Sequence, residues 1–314
     1  MNTADFPETL LEFERRFHDE VACWEYLRTM KWPDGFRCPK CDGTRAYFVI
    51  ERGRDECSTC RHQTSATSGT MFHGTRTPLR TWFRAIFEFV SAKHGCSAMH
   101  LSRVLGLSYE TAWTWLQKIR DSFFRPDREP LKGVVEGDET YVGGPEPGKA
   151  GRGLGENTIL VAGVVEVEKP MGCGRVRLAP VDDASAKSLL PFVANVVEEG
   201  TKVHTDGWAG YGGLEVAYKH DVDVIGDPKR ASKIFPCVHR VFSLFKRVIL
   251  GTYHGSWSRK WAALYCEEFA FRFNRRRSGT RTHLFRRAME CAMRRAPRIH
   301  RLARESCTEN VVPA

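Results

Sequence analysis

No stretch of this 314-residue chain approaches the roughly 18 consecutive apolar residues of a membrane-spanning helix, and no signal-peptide pattern opens it. The expected setting is therefore the cytoplasm, with no membrane partner. Cysteine is not scarce, but the 11 present are an odd number without a secretion signal, which excludes a disulfide framework. Internal repeats and low-complexity segments are missing, so repeat architectures are set aside. The glycine-rich stretch 145–157 lacks the G-x-G-x-x-G order after a strand and reads as a loop, not a phosphate cradle. Acids are in deficit: 38 Asp and Glu face 48 Lys and Arg, a formal charge of +10. Such an excess points to a polyanionic partner.

What is present begins with a helical pattern over residues 5–30, where Phe6, Leu10, Phe13, Phe17, Val21 and Trp24 recur among charged residues. Next come two C-x2-C hooks, Cys38–Cys41 and Cys57–Cys60, separated by fifteen residues. Hooks at this spacing can close four thiolates tetrahedrally around one structural Zn²⁺, while unrelated buried cysteines seldom pair so regularly. His62 is near enough to compete as a ligand. The expected unit is a zinc ribbon within residues 1–66.

Residues 67–128 read as three helices, the last starting at Tyr109 with Ser108 as its N-cap and a Gly106 turn before it. Helix, short turn, helix is the layout of a helix-turn-helix DNA reader, in which Tyr109, Glu110, Trp113 and Gln117 would face outward to the bases. A three-helix packing unit without DNA is the other reading.

A linker with prolines at 126 and 130 leads into Val134 to Gly144, a β-friendly run with Glu136, Asp138 and Glu139 inside it. Alternation along a strand puts Glu136 and Asp138 on one face and Glu139 on the other. Unpaired charge is costly to bury, so these acids are either solvated on an edge strand or held by a cation. A second short strand, Lys202 to Thr205, ends in Asp206 and a turn glycine. Two strand-borne aspartates fit a two-metal phosphoryl-transfer centre. The element order, three strands, a helix, a strand, a helix and a strand at Asp221 to Ile225, is that of an α/β ribonuclease-H-like core. In that fold the first and fourth strands are neighbours, bringing Asp138 to Asp206.

A helix from Pro236 carries His239 and Lys246, two turns and about 10 Å apart on one face. The remainder is helical and arginine-rich, with Arg272, Arg275, Arg276, Arg277, Arg286, Arg287, Arg294, Arg295, Arg298, Arg301 and Arg304. These form either a solvated face or a phosphate-binding one. The domains expected are 1–66, 67–128, a catalytic 129–256 and a basic helical 257–314.

The succession of these motifs resembles the ISXO-like insertion-sequence transposases. It runs from the ribbon through Glu136-Gly137-Asp138-Glu139-Thr140-Tyr141-Val142-Gly143-Gly144, Thr205-Asp206-Gly207-Trp208 and Val238-His239 to Lys246. Gly251-Thr252-Tyr253-His254-Gly255 and Glu268 to Arg276 extend it. The resemblance implies a DDE-type domain acting on transposon-end DNA with two Mg²⁺ or Mn²⁺ ions. By it, Asp138 and Asp206 are metal ligands, His239 takes the third position and Lys246 contacts DNA near the reacting phosphate. The chemistry implied is hydrolysis exposing a 3′-hydroxyl, then attack by that hydroxyl on target DNA. The implied partner is double-stranded DNA, both terminal inverted repeats and target, bound by a dimer or higher homo-oligomer.

The third position departs from the usual Glu, and Glu267 or Glu268 is the alternative ligand. If the third ligand is His239, cleavage should fall as pH drops through roughly 6–7, the range of an ordinary imidazole. A DNA-binding regulator, or an inactive transposase remnant, would share the ribbon and the basic tail. Neither needs two strand-end aspartates beside a lysine-bearing helix.

Overall fold

The computed structural model describes residues 7–143, 158–168, 172–224, 230–254, 257–277, 281–294 and 296–297. Gly144, the 145–157 loop, Ile225, Gly255, Arg295, Arg298, Arg301 and Arg304 lie outside the described residues. The chain forms two compact units, Met1–Phe123 with Ser278–Ala303, and Phe124–Arg277 with Arg304–Ala314.

In the first unit the single N-terminal helix expected from periodicity is two helices, α1 (Leu10–Arg16) and α2 (Glu20–Lys31). The break has a local cause. The Asp19 side chain accepts the Ala22 N–H at 2.8 Å and starts a new helix, as a carboxylate at an N-cap does. A zinc-ribbon-like sheet follows, with β1 (Ala46–Val49), β2 (Arg54–Cys57) and β3 (Gln63–Thr64) antiparallel in that order. Then come α3 (Leu79–Ser91), α4 (Ala98–Leu105) and α5 (Tyr109–Ser122). Gly106, at φ +65°, ends α4, and Ser108 caps α5 through the Thr111 N–H.

Trp82 of α3 and Trp115 of α5 stack with ring centroids 3.6 Å apart. The helix α10 (Arg281–Arg294) joins this unit, since Phe285 packs against Phe13, Phe17, Phe83 and Phe87. The apolar face of α10 is what draws the chain's last described helix to its N-terminal third, a pairing no local pattern reveals.

In the second unit β4 (Val134–Val142), β5 (Ile159–Glu168), β6 (Gly172–Pro180), β7 (Lys202–Thr205) and β8 (Lys219–Val222) make one mixed sheet ordered β6-β5-β4-β7-β8. The first three strands are an antiparallel meander, whereas β7 runs parallel to both β4 and β8. Both faces are covered. One core holds Leu189 and Val193 of α6 (Ala186–Val196) against Val135, Leu160, Ala162, Val164 and Val203. The opposite core holds Val238, Phe242 and Phe245 of α8 (Pro236–Gly251) with Ala262 and Phe269 of α9 (Arg259–Phe273) against Val161, Val165 and Val176. A four-residue helix, α7 (Ala231–Ile234), precedes α8. The expectation that α9 belongs to a separate C-terminal region gives way to this: α9 is part of the sheet's own core.

Gly163 lets α8 lie close. It pairs with Asp138 across β4 and β5, and a Cβ there would meet Phe242 at 2.7 Å and Leu178 at 2.8 Å. Gly163→Val is expected to destabilise the domain by about 1–3 kcal/mol through overpacking, read as a lower urea midpoint. An unchanged midpoint would mean that α8 tolerates displacement.

Candidate active site and zinc site

The register of β4 and β7 aligns Glu136 with His204, so two residues further along both strands stand Asp138 and Asp206. Asp138 is the middle residue of β4, opposite Gly163 of β5, and Asp206 directly follows β7; each is only partly exposed. Asp138 accepts the Glu139 N–H at 2.8 Å through Oδ1, while its Oδ2 stands 3.7 Å from His239 Nε2. Asp206 is fixed by its own turn, where Oδ1 accepts the Trp208 N–H at 3.0 Å. The Trp208 indole, half-exposed, donates to the Ala184 carbonyl at 2.7 Å and holds that turn in place. Two turns of α8 beyond His239, Lys246 comes near enough to act electrostatically on both Asp138 and His239.

Carboxylates crowd this corner, and the electrostatics record it. Burial, then Glu139 and Asp206, push the Asp138 carboxyl up to about 7, with Lys246 opposing. Burial and Asp206 also raise Glu139, although Tyr211 donates its hydroxyl to Glu139 at 2.8 Å. Burial lowers both His239 and Lys246 from their ordinary values, so the imidazole is neutral at pH 7. His239 Nε2 is buried and makes no hydrogen bond to any described residue. An orphaned nitrogen lone pair facing a carboxylate, among three acids and one lysine, is a donor set suited to a divalent cation. It is an open set. Among the described residues, the one group of three or more ligating side chains with all donor atoms within 4.8 Å is the cysteine cluster.

Glu267 and Glu268 are engaged elsewhere. Glu268 is buried, accepting from the Tyr253 hydroxyl at 3.0 Å and from Arg272 Nε at 3.0 Å. Glu267 pairs with Arg128 at 2.5 Å. Neither acts on Asp138, whereas His239 lies beside it.

Sequence reasoning missed Glu136. It shares the face of Asp138, as alternation requires, but it is 3% exposed and accepts the N–H groups of Cys237 and Val238 at 2.8 and 2.9 Å. These are first-turn amides of α8, whose own N-cap residue, Phe235, supplies no side-chain cap. A carboxylate from β4 therefore caps the helix that carries His239 and Lys246, and its charge suits the positive end of the helix dipole. Removing it leaves two buried amides without a partner. Glu136→Ala is expected to cost about 2 kcal/mol of stability. Glu136→Gln should recover part of that loss. Equal urea midpoints for Glu136→Ala and the unaltered chain would remove this role.

The ribbon's four cysteines gather as the spacing predicts. The Sγ atoms of Cys38, Cys41, Cys57 and Cys60 all lie within 4.8 Å of one another, with Cys38–Cys60 and Cys41–Cys57 each at 3.6 Å. That is far beyond a disulfide and close to the edge of about 3.8 Å for a tetrahedron with Zn–S near ~2.3 Å. Each hook turns on a left-handed residue after its second cysteine, Asp42 at φ 56° and Arg61 at φ 60°. The amides of Cys60 and Thr59 aim at Cys57 and hold its thiol down to about 6, toward the ligating thiolate. His62 is not in the cluster.

On α5, Tyr109 is 53% exposed, Glu110 is exposed and Trp113 is half-buried. Gln117 contradicts its expected outward position, because it is fully buried. Leu116, Gln117, Ile119, Arg120 and Asp121 are all buried, so beyond Trp113 only Thr114 and Lys118 of α5 keep a partly exposed polar side chain before Ser122. Arg275, Arg276 and Arg277 have partners within their own unit. Arg275 lies over the Phe271 ring at 4.3 Å, Arg276 donates to the Phe273 carbonyl at 2.8 Å and to that of Cys173, and Arg277 pairs with Glu168.

Residues 130–274 match the family model described as an ISXO2-like transposase domain, and residues 18–63 match that of a transposase zinc-ribbon domain. The chain is also 27% identical over 231 residues to an uncharacterized protein in transposable element ISH50 of Halobacterium salinarum. That alignment covers 68% of this chain and 76% of the relative. Among the described residues no helix is long and apolar enough to cross a membrane.

Proposed function

With the recognised domains being those of an ISXO2-like transposase and its zinc ribbon, we propose that the protein binds the ends of its insertion sequence, cuts them and joins them to target DNA. The observation that carries this reading is the meeting of Asp138, Asp206, His239 and Lys246 at one corner of a sheet ordered β6-β5-β4-β7-β8. That order, with an antiparallel meander and two parallel strands, is what a ribonuclease-H-like domain has. Asp138 and Asp206 would hold Mg²⁺ or Mn²⁺, His239 would complete the set through Nε2, and Lys246 would pair with a phosphate oxygen. Bound there, two divalent ions supply an activated oxygen nucleophile and charge neutralisation at the phosphate and leaving oxygen. Glu136 fixes the helix bearing His239 and Lys246, and Tyr211 keeps Glu139 turned to itself. No protein nucleophile is needed. The exposed start of α5 (Tyr109, Glu110, Trp113) is the proposed base-reading face of a helix-turn-helix. Arg275, Arg276 and Arg277 offer their remaining donors to phosphate. The protein would act in the cytoplasm, as a dimer or larger assembly, because two ends must be brought to one target.

Acid should weaken the site first through Asp138, not His239. A proton on Asp138 competes with the cation, and this carboxyl titrates near about 7 in the metal-free chain. His239 lies below its ordinary value and stays a competent ligand further down. Mn²⁺ affinity, followed by titration calorimetry, should therefore fall as pH drops through about 7 in the native protein and in His239→Glu alike. His239→Ala should lose most Mn²⁺ binding, whereas Glu268→Gln should keep it. The reverse outcome, a binding-competent His239→Ala beside a Glu268→Gln without affinity, would assign the third ligand to Glu268.

A further inference from the structure

We infer that a basic cleft in the first unit, between the ribbon hairpin and the segment entering α3, is a channel for the phosphodiester backbone of duplex DNA; this rests on the reading of the protein as a DNA-acting transposase. The cleft has a volume of about 920 Å³. Arg52 and Arg54, on either side of the Gly53 turn, line it together with His73 and Arg76 of the segment entering α3. All three arginines are exposed. Among the described residues their guanidinium groups make no hydrogen bond or ion pair, unlike Arg28, Arg61 and Arg84, which are paired with Asp55, Glu56 and both Glu14 and Glu88.

The one acid in the lining, Glu20, is already engaged as a helix cap. Its two oxygens accept the N–H groups of Leu79 and Arg80 at 2.7 and 3.1 Å, the first amides of α3. The walls are fixed in place before any ligand arrives. Gly53, at φ +55°, sits so tightly on the Trp24 indole that a Cβ would meet it at 2.3 Å. Buried Asp55 ties β2 to Arg28 of α2 at 2.7 Å. A half-buried indole, two imidazoles and three unpaired guanidinium groups therefore face one groove.

The chemistry of the lining selects the ligand class. Small-molecule pockets are mostly apolar, with a few convergent polar groups, whereas most of the residues lining this cleft are polar and three of them are arginines. Guanidinium forks match phosphate oxygens bidentately, and several unpaired ones along an open groove suit a backbone carrying one charge after another. The zinc site then has a second consequence: it shapes a wall of the DNA channel as well as folding the ribbon.

The test is fluorescence anisotropy of the full-length zinc-loaded chain with duplex DNA between 50 and 200 mM salt. An Arg52→Ala, Arg54→Ala, Arg76→Ala variant should bind at least about 10-fold more weakly at 150 mM salt. Its plot of log affinity against log salt should be shallower by roughly 2–3, near 0.9 per lost phosphate contact. Arg76→Ala alone should lower the slope by about 1, and this variant decides the matter if the triple variant loses its zinc. Equal slopes and affinities for native and variant chains, with native DNA binding intact, would overturn the channel and leave the transposase reading standing. A native chain that binds no duplex at all would overturn both.

Discussion

Asp138→Ala is expected to cut end DNA on the order of 10³-fold more slowly than the native chain, or not at all, while binding the same duplex nearly as well. The loss follows from the position of the residue. Asp138 stands beside Glu139, Asp206 and His239, and burial first, then Glu139 and Asp206, oppose its ionisation and push it up to about 7. Such a group is costly to keep as a carboxylate unless a cation or phosphate-bound metal joins it. Without it the remaining donors, Asp206 and His239, have no common partner. Binding should survive because affinity for a polyanion comes from the basic surface, and deleting a carboxylate removes repulsion. Asp206→Ala should behave alike, with the added loss of the Oδ1 contact that holds the Trp208 amide. Single-turnover cleavage and anisotropy on one duplex separate the two effects. A variant that cuts at the native rate would place the chemistry elsewhere.

Cys57→Ser should abolish stoichiometric zinc and unfold the ribbon. Structural zinc contributes about 10–16 kcal/mol of apparent binding free energy in small metal domains, far more than a three-stranded sheet of short strands supplies by burial. Cys57 is fully buried, and its amide partners hold it ready as a thiolate, so serine replaces a ligand with a poor one at the centre of the cluster. Metal analysis should fall from close to one zinc per chain toward none, and DNA affinity should fall with it. Retention of one zinc per chain in the variant would contradict a four-cysteine site.

The parts of this protein that were legible in its sequence are those whose partners are close in the chain or related by regular geometry. Cys38 and Cys41 share one turn, as do Cys57 and Cys60, so the hooks are visible as spacing. Asp138 in the middle of β4 and Asp206 just past the end of β7 belong to neighbouring parallel strands, and the element order alone sets those strands side by side. Glu136 was visible as an acid on the right face, but its partners, the amides of Cys237 and Val238, lie about a hundred positions on, where a hydrogen bond leaves no mark on either segment. Gln117 is buried because the exposed strip of α5 narrows to Thr114 and Lys118 in its second half, which periodicity within the helix does not reveal. The break at Asp19 is hidden for the opposite reason: the apolar pattern runs on through a single capping aspartate, so periodicity alone predicts one helix. The arginines at 275–277 show the same limit, since charge count cannot reveal that their guanidinium groups pair with Phe271, Cys173 and Glu168.

The most direct test of the central claim is a cleavage assay on a duplex carrying the element's own terminal sequence and flank, run with and without Mg²⁺ or Mn²⁺. The expected result is a nick at the element's end that leaves a 3′-hydroxyl, strictly dependent on the divalent ion and missing with Asp138→Ala. A nick that persists in EDTA, or a native chain that binds the end tightly and never cuts it with either metal, would contradict the account.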